Sequence, residues 1–407
     1  MRSSLPVRAI ALTVAMVCAM PLARATDPAP LPATTPWGLP RLQNAPPAYT
    51  WVHQDRPIHA LTYAGEPYQG RATRVFAYYA SPTTLGAAAP QPPYPGLILV
   101  HGGGGTAFPE WARIWAERGY AALAMDLAGC GEDGQPLADG GPGQGDDTKF
   151  HAIDAPATDQ WPYHAVANVI LAHSLLRSLE DVDPERTAVT GISWGGYLTC
   201  IVAGLDPRFK LAMPVYGCGF LHENSAWVAS QFNNMTPEHR AQWTKLWDPS
   251  QYIGAATMPI AFLNGTNDFA YPLDSYAKTC QLVQTTKHFS IQLRMPHGHI
   301  FDFPECFLFV DQYLKDGTPL PVVGTPQVVD GRLSAPVTHT LPLVSARLHY
   351  TTGPHQDNPA REWITRPLEI HPQIVSGEAP PADATAWYVD VADERKAVTS
   401  CAPIIRP

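Results

Sequence analysis

The pentapeptide Gly-Ile-Ser-Trp-Gly at residues 191–195 constrains the fold of this chain more than any other feature of its sequence. The apolar run that ends at Ile192 is typical of a short buried strand, and the run over residues 195–203 is typical of a helix. A serine on so sharp a strand-to-helix turn, called a nucleophile elbow, projects its hydroxyl above the sheet. Glycines two positions before and after Ser193 let neighbouring backbone pass close by. The motif therefore predicts a nucleophilic serine at the edge of a sheet.

Strand-like and helix-like segments alternate on both sides of this motif. Strands are predicted at residues 59–63, 72–79, 96–100, 121–125, 211–215, 259–263 and 290–295, and helices at 109–118, 164–179, 273–283 and 304–314. Such alternation predicts βαβ units and a mostly parallel sheet flanked by helices. Residues 319–407 differ, because short β-like runs are separated there by Pro, Gly, Asp and Asn. We therefore expect an α/β catalytic domain over residues 26–318 and a small C-terminal β-sandwich-like domain over residues 319–407.

The N-terminus has the pattern of an export signal. Arg2 and Arg8 flank the start of an apolar run that is too short to span a bilayer, and Leu-Ala-Arg-Ala at residues 22–25 fits a cleavage site. We expect residues 1–25 to be removed, the mature protein to be periplasmic or secreted, and no membrane span to remain. The net charge of −9, without a basic block, gives nucleic-acid binding no electrostatic support.

Two further sites complete a catalytic set in the chain order serine, acid, histidine. Asp268 follows a predicted strand, at the sheet edge where catalytic groups collect. Met-Pro-His-Gly-His at residues 295–299 follows the last predicted strand, so either His297 or His299 could be the base that takes the serine proton. We favour His299, because Gly298 allows a tight turn and the longer distance from the strand suits a reach toward Ser193. His297 is kept as the alternative base.

A glycine run supplies the remaining component of such a site. His-Gly-Gly-Gly-Gly at residues 101–105 directly follows a predicted strand, and its backbone N–H groups can face a developing oxyanion. We expect Gly103 and Gly104 to form the oxyanion hole together with the N–H of Trp194, the residue after the nucleophile. A phosphate-binding loop is excluded, because no Lys-Ser/Thr pair or spaced glycine pattern follows. The sequence indicates no metal site and no cofactor.

Two other segments allow more than one interpretation. The loop over residues 129–154 is rich in Gly, Asp and Glu, which fits a mobile active-site loop or a plain solvated loop, while the EF-hand pattern of a calcium site is missing. Four tryptophans could stack on a sugar near the site: Trp161, Trp227, Trp243 and Trp247. Each ring more commonly packs in the core or in a cap over the site.

Four stretches carry a family resemblance: residues 97–127 (LILVHGGGGTAFPEWARIWAERGYAALAMDL), 190–200 (TGISWGGYLTC), 262–275 (FLNGTNDFAYPLDS) and 294–299 (RMPHGH). With them the chain resembles the α/β-hydrolase superfamily, in the branch of acetylxylan esterases, dienelactone hydrolases and prolyl-oligopeptidase-type catalytic domains. The resemblance implies Ser193 as nucleophile, Asp268 as acid and His299 as base. It also implies that Gly103 and Trp194 supply the oxyanion N–H groups.

Three functions are compatible with these residues. The first is an exported serine carboxylesterase that removes small acyl groups, acetyl foremost, from carbohydrate or related esters through an acyl-enzyme. Its partner would be a small-molecule or polysaccharide ester. The second is a prolyl-oligopeptidase-type serine peptidase, disfavoured because no propeller-forming repeat precedes the hydrolase segment. The third, a non-catalytic binding protein on a hydrolase scaffold, is disfavoured by the intact Ser, Asp and His set. The oligomeric state stays open.

Overall fold

A computed structural model describes residues 27–299, 301 and 303–406, so the predicted signal at residues 1–25 lies outside the described residues. The main sheet consists of β1 (Tyr49–His53), β2 (His59–Ala64), β3 (Arg74–Ala80), β4 (Tyr94–Val100), β5 (Ala121–Met125), β6 (Val182–Ile192), β7 (Leu211–Val215), β8 (Ile260–Gly265) and β9 (Lys287–Gln292). Their order is β1-β2-β3-β5-β4-β6-β7-β8-β9. β4 to β9 run parallel, and β1 to β3 form an antiparallel extension. The expected α/β fold is thus confirmed.

The α-helices of the described chain are α1 (Leu39–Asn44), α2 (Pro109–Glu117), α3 (Asp146–Lys149), α4 (Trp161–Leu176), α5 (Trp194–Leu205), α6 (Leu221–Asn224), α7 (Trp227–Ser230), α8 (Pro237–Trp247), α9 (Leu273–Leu282) and α10 (Pro304–Leu314). Every residue of α4 is buried, as expected for a helix that is apolar on all sides. The N-terminal segment covers its outer face, where Ser174 Oγ donates to the Leu42 carbonyl (2.7 Å).

The end of β9 differs from its prediction, and two elements near the N-terminus were not predicted. β9 ends at Gln292 rather than at residue 295, because Arg294 adopts a left-handed backbone (φ 53°) that turns the chain into the next loop. The Pro-rich segment before residue 50 contains α1 and the start of β1, neither of which was predicted. β1 escaped prediction because its residues are mostly exposed, so its sequence lacks a buried apolar run.

The C-terminal region contains β10 (Val322–Val323), β11 (Gln327–Val329), β12 (Arg332–Thr338), β13 (Leu343–Thr351), β14 (Ile364–Pro367), β15 (Glu369–His371), β16 (Ile374–Glu378), β17 (Ala386–Asp393), β18 (Val398–Ser400) and β19 (Ile404–Ile405). They form two antiparallel sheets, ordered β10-β12-β16-β15 with β11 beside β12, and β14-β13-β17-β18 with β19 beside β17. A short 3₁₀ turn, His355–Ala360, joins β13 to β14. These sheets fit the expected small β-sandwich-like domain, while its boundary near residue 319 stays a prediction.

This domain packs beside the last strand of the main sheet. Ser290 Oγ on β9 donates to the Val398 carbonyl (2.8 Å), and the Ile291 N–H donates to Ser400 Oγ (3.1 Å). The contact places the C-terminal domain next to the loops that leave β8 and β9. In the described part of the chain, no helix combines the length and the apolar composition that a membrane crossing needs.

Candidate active site

Ser193 lies on the sharp turn between β6 and α5. Its backbone has φ 60° and ψ −116°, which is unusual for any residue other than glycine. The two flanking glycines make the turn possible, because a Cβ on Gly191 would lie 2.3 Å from the Gly195 carbonyl oxygen. A Cβ on Gly195 would lie 2.0 Å from the Val100 carbonyl oxygen. The structure therefore forms the predicted nucleophile elbow.

A cavity of about 340 Å³ opens above Ser193. Its walls are formed by Gly103, Ile192, Ser193, Trp194, Trp227, Phe269, Ala270, His297, Gly298 and His299. A larger cavity of about 630 Å³ lies between α9 and the C-terminal domain, and none of the predicted site residues line it. The smaller cavity is therefore the candidate active site.

The acid stands on the turn that follows β8. Asp268 is 2% exposed, and its Oδ1 accepts hydrogen bonds from the backbone N–H groups of Ala270 (2.9 Å) and Tyr271 (2.8 Å). Its other oxygen, Oδ2, faces Nδ1 of His297 at 2.7 Å. Because Oδ1 is held by backbone donors, Oδ2 is fixed in position to orient an imidazole ring.

The structure pairs Asp268 with His297 and not with His299. The expectation that His299 meets the acid is therefore wrong, and the alternative, His297, takes that position. The reason is the early end of β9: the loop begins at residue 293, so His297 already has the reach that we had assigned to His299.

His299 has a different environment at the rim of the glycine loop. Its Nε2 accepts a hydrogen bond from the Gly102 N–H (3.0 Å), and its ring packs near Phe108 and Trp111. Burial, followed by the neighbouring charge of His101, lowers the pKa of His299 below its ordinary value. A backbone N–H can only donate, so the bond with Gly102 requires a neutral ring with its proton on Nδ1. This histidine is a packed, uncharged wall of the cavity.

Tyr216, which sequence reasoning missed, supports the His297 loop. Its ring stacks on the His297 ring with centroids 4.3 Å apart, and its hydroxyl donates to the Pro296 carbonyl (2.7 Å). Tyr216 follows β7 directly and has a left-handed backbone (φ 66°). The available signal was its position: it comes first after a buried strand, at the edge where Ser193 and Asp268 also lie.

Two of the three predicted oxyanion donors line the cavity. Trp194 is the first residue of α5, so its N–H has no acceptor within the helix. Gly103 lies against the Trp194 indole, with its hypothetical Cβ 2.9 Å from Cδ1. Gly104 does not line the cavity; it adopts φ 70° and turns the chain away. The structure therefore brings Gly103 and Trp194 to Ser193, but not Gly104.

The aromatic residues singled out in the sequence are divided between core and cavity. Trp161, Trp243 and Trp247 are fully buried, whereas Trp227 lines the cavity. The Gly- and Asp-rich loop over residues 129–154 packs against the segment between α7 and α8, where Gln231 Nε2 donates to Asp146 Oδ2 (2.9 Å). Phe150, Trp161 and Trp227 contact the Trp194 ring, and Trp243 stacks on Phe150. Trp247 packs elsewhere, edge-on to Trp37.

Part of the chain is similar to proteins of a known family. Residues 107–306 match the prolyl oligopeptidase family, Peptidase_S9. The chain is 27% identical to an uncharacterised peptidase, YuxL, of Bacillus subtilis (strain 168), over 44% of this chain and only 27% of that protein's length.

Two solved structures share the fold. An acetyl xylan esterase from Paenibacillus sp. R4 superposes with a TM-score of 0.54 at 24% identity, covering 68% of this chain and 92% of that one. Acetyl xylan esterase 1 from Thermoanaerobacterium sp. JW/SL YS485 superposes with a TM-score of 0.51 at 18% identity, covering 72% of this chain and 95% of that one. The chain therefore has the α/β-hydrolase fold of these solved structures, and its elbow serine lines the same cavity as a histidine that is paired with an aspartate.

Proposed function

We propose that this protein is an exported serine carboxylesterase that removes small acyl groups, acetyl foremost, from carbohydrate or related esters. One observation carries the proposal. Ser193 and His297 line the same small cavity, and Asp268 holds His297 through a 2.7 Å contact between Oδ2 and Nδ1. A serine with a base that is oriented by a carboxylate is the arrangement that acyl transfer requires.

The proposed reaction uses each of these groups in turn. His297 Nε2 takes the Ser193 hydroxyl proton while Oγ attacks the ester carbonyl carbon, and the carbonyl electron pair moves onto oxygen. The backbone N–H groups of Gly103 and Trp194 stabilise that oxyanion. His297 then passes its proton to the departing alcohol. A water molecule then gives a proton to His297 and attacks the acyl carbon, the Oγ–C bond breaks, Oγ regains the proton from His297, and the carboxylic acid is released.

The walls of the cavity support a preference for small acyl groups. Trp194, Trp227 and Phe269 present large rings within a volume of about 340 Å³ that the alcohol part of the ester must share. Bulky aromatic walls discriminate by excluding long chains rather than by attracting short ones. The names of the two solved acetyl xylan esterases are compatible with an acetyl substrate, although their likeness to this chain extends to the fold alone.

Turnover of a series of nitrophenyl esters tests the proposal. We expect kcat/KM to fall from acetate through butyrate to decanoate, and Ser193→Ala to abolish turnover of all three. Trp227→Ala should improve butyrate relative to acetate, because it widens the cavity. Faster turnover of decanoate than of acetate by the unmodified enzyme would refute the small-acyl preference.

A peptidase is the second candidate function, because the matching family is that of prolyl oligopeptidases and the Bacillus subtilis relative is named a peptidase. A prolyl nitroanilide separates the two. Its hydrolysis with a kcat/KM at or above that of nitrophenyl acetate would favour the peptidase.

The natural substrate and the location of the enzyme need separate measurements. Release of acetate from acetylated polysaccharides would support a carbohydrate ester, and a screen of small esters would identify an alternative. N-terminal sequencing of protein from the culture medium or periplasm should begin at Thr26. An intact Met1 would contradict the proposed cleavage.

A further inference from the structure

Tyr271 joins the acid turn to the nucleophile. It lies three residues after Asp268, and its N–H donates to Asp268 Oδ1 (2.8 Å). Its carbonyl accepts a hydrogen bond from Asn264 Nδ2 (3.0 Å). The backbone is therefore fixed on both sides, and the side chain has a defined direction. Its ring lies parallel to His297, with centroids 6.3 Å apart, and edge-on to Trp227 at 5.4 Å.

The hydroxyl of Tyr271 has no normal hydrogen bond. The residue is fully buried, and no described residue pairs with its oxygen in standard geometry. Burial raises the pKa of Tyr271 well above its ordinary value, and the nearby Ser193 side chain opposes this rise. The phenol thus stays protonated beside the nucleophile. A buried hydroxyl without a partner costs stability, so its presence needs an explanation.

We propose that the Tyr271 hydroxyl donates a hydrogen bond to Ser193 Oγ during acyl transfer and is a further catalytic residue. This inference rests on the proposed role of Ser193 as nucleophile. A serine hydroxyl has one proton, which the proposed function assigns to His297, and lone pairs that can accept from the phenol. Catalytic hydrogen bonds in free enzymes are often long or poorly aligned and shorten only when substrate is bound, so an unpartnered hydroxyl in the free protein is compatible with this role.

The proposed hydrogen bond stabilises the negative charge that develops on Ser193 Oγ during the reaction. As the Oγ–H bond breaks and its proton passes to His297 Nε2, negative charge grows on Oγ until the new Oγ–C bond forms. The Tyr271 proton stays on Tyr271 throughout and stabilises that charge. The same hydrogen bond acts again when the Oγ–C bond of the acyl-enzyme breaks. Because the hydroxyl is preorganised in a dry site, its interaction strengthens in the transition state.

A matched pair of variants tests this role. Tyr271→Phe removes the hydroxyl, and Tyr276→Phe removes another buried, unpartnered tyrosine hydroxyl, on α9, where the ring packs on Phe262. With nitrophenyl acetate we expect Tyr271→Phe to lower kcat about 10²-fold with little change in KM, the loss typical of one preorganised donor. Tyr276→Phe should retain the activity of the unmodified enzyme. Equal losses in the two variants would overturn the proposal.

The rate of labelling by an alkyl fluorophosphonate gives a second readout that needs no ester substrate. Here an Oγ–P bond forms, the P–F bond breaks and the serine proton goes to His297. If the unmodified protein is labelled but hydrolyses no ester, the esterase proposal fails while Tyr271 can still be tested. Tyr271→Phe should be labelled more slowly, and labelling at the unmodified rate would refute the role.

A ring-fluorinated tyrosine at position 271 covers the case in which Tyr271→Phe fails to fold. It keeps the hydroxyl and its packing but makes the phenol a stronger donor. We expect a changed labelling rate in the folded, full-length protein. An unchanged rate would show that the hydroxyl has only a structural role.

Discussion

His297 and His299 are separated by one glycine, yet their surroundings give them different chemistry. Nδ1 of His297 faces the buried carboxylate of Asp268, which favours a proton on that nitrogen and leaves Nε2 free to accept one. Nε2 of His299 is already occupied by the Gly102 N–H. A ring whose accepting nitrogen is held by backbone cannot take a proton from serine without losing that bond.

Substitution of the two histidines tests this difference. His297→Ala should lower kcat by about 10³–10⁶-fold, the range for loss of a member of a catalytic triad. His299→Ala should cost about 10–10²-fold, because it removes packing around the glycine loop and not the base. Both values come from steady-state turnover of nitrophenyl acetate, and Ser193→Ala with His297→Ala should be little worse than either alone. An active His297→Ala beside an inactive His299→Ala would reverse the assignment.

The elbow glycines can be tested through stability. Gly195→Ala would place a Cβ 2.0 Å from the Val100 carbonyl oxygen, a contact that only movement of the backbone can relieve. We expect a loss of about 3 kcal/mol in the free energy of unfolding, at the upper end of the usual cost of overpacking. Urea denaturation measures it. Gly38→Ala is the control, because no atom lies within 4 Å of its new Cβ; equal midpoints for the two variants would contradict the argument.

At the scale of elements, the acid turn is held from outside its own domain. Asn267 Nδ2 donates to the carbonyl oxygens of Asn358 (3.3 Å), Pro359 (3.1 Å) and Arg361 (2.8 Å). In return, Asn358 Nδ2 donates to the Asp268 carbonyl (2.9 Å). These bonds connect the 3₁₀ turn of the C-terminal domain to the residue that orients His297.

Removal of this support should affect turnover. Asn358→Ala leaves the Asp268 carbonyl without its side-chain donor, and a small displacement of the acid is enough to lower kcat by up to about 10²-fold. We expect the effect mainly in kcat, since Asn358 lies outside the cavity wall. Asn234→Ala, which removes an exposed amide bonded to the Ser230 carbonyl, is the control. Unchanged kcat in Asn358→Ala would show that the acid turn holds its position alone.

The parts of this site that were predictable are those with a local signal. Ser193 and Asp268 follow buried strands, and apolar runs located those strands to within a few residues. The choice between His297 and His299 depended on where β9 ends. Arg294 ends the strand through its left-handed backbone, and the pattern of apolar residues does not predict such a backbone angle. The role of Asn358 could not be predicted from the sequence, because its contact with Asp268 joins residues that are 90 positions apart and lie in different domains.

At the scale of the whole molecule, a buried histidine couples stability to pH. His288 on β9 is 5% exposed, and its Nε2 contacts the Tyr313 hydroxyl at 2.5 Å. Burial lowers the pKa of His288 from 6.5 to about 4. Between these two values the unfolded chain binds a proton that the folded chain does not, so acidification favours unfolding.

We therefore expect the free energy of unfolding to fall by about 3 kcal/mol from this residue as the pH drops from about 6.5 to about 4. The loss is absent above that window and complete below it. Urea unfolding at several pH values measures it, and His288→Gln should flatten the dependence. His371→Gln, at a side chain that is 49% exposed, is the control. An equally steep dependence in His288→Gln would exclude His288 as the cause.

At position 193, the residue that activity requires is not the residue that gives the greatest stability. The Ser193 φ of 60° and ψ of −116° cost about 1–3 kcal/mol in a residue with a side chain, whereas glycine in a fixed conformation costs about 0.5–1 kcal/mol through chain entropy. Ser193→Gly should therefore raise the melting temperature, and Ser193→Ala, which keeps a Cβ, should not. If variants are selected for heat resistance alone, we expect Ser193→Gly to be enriched, although it lacks the nucleophile and is inactive.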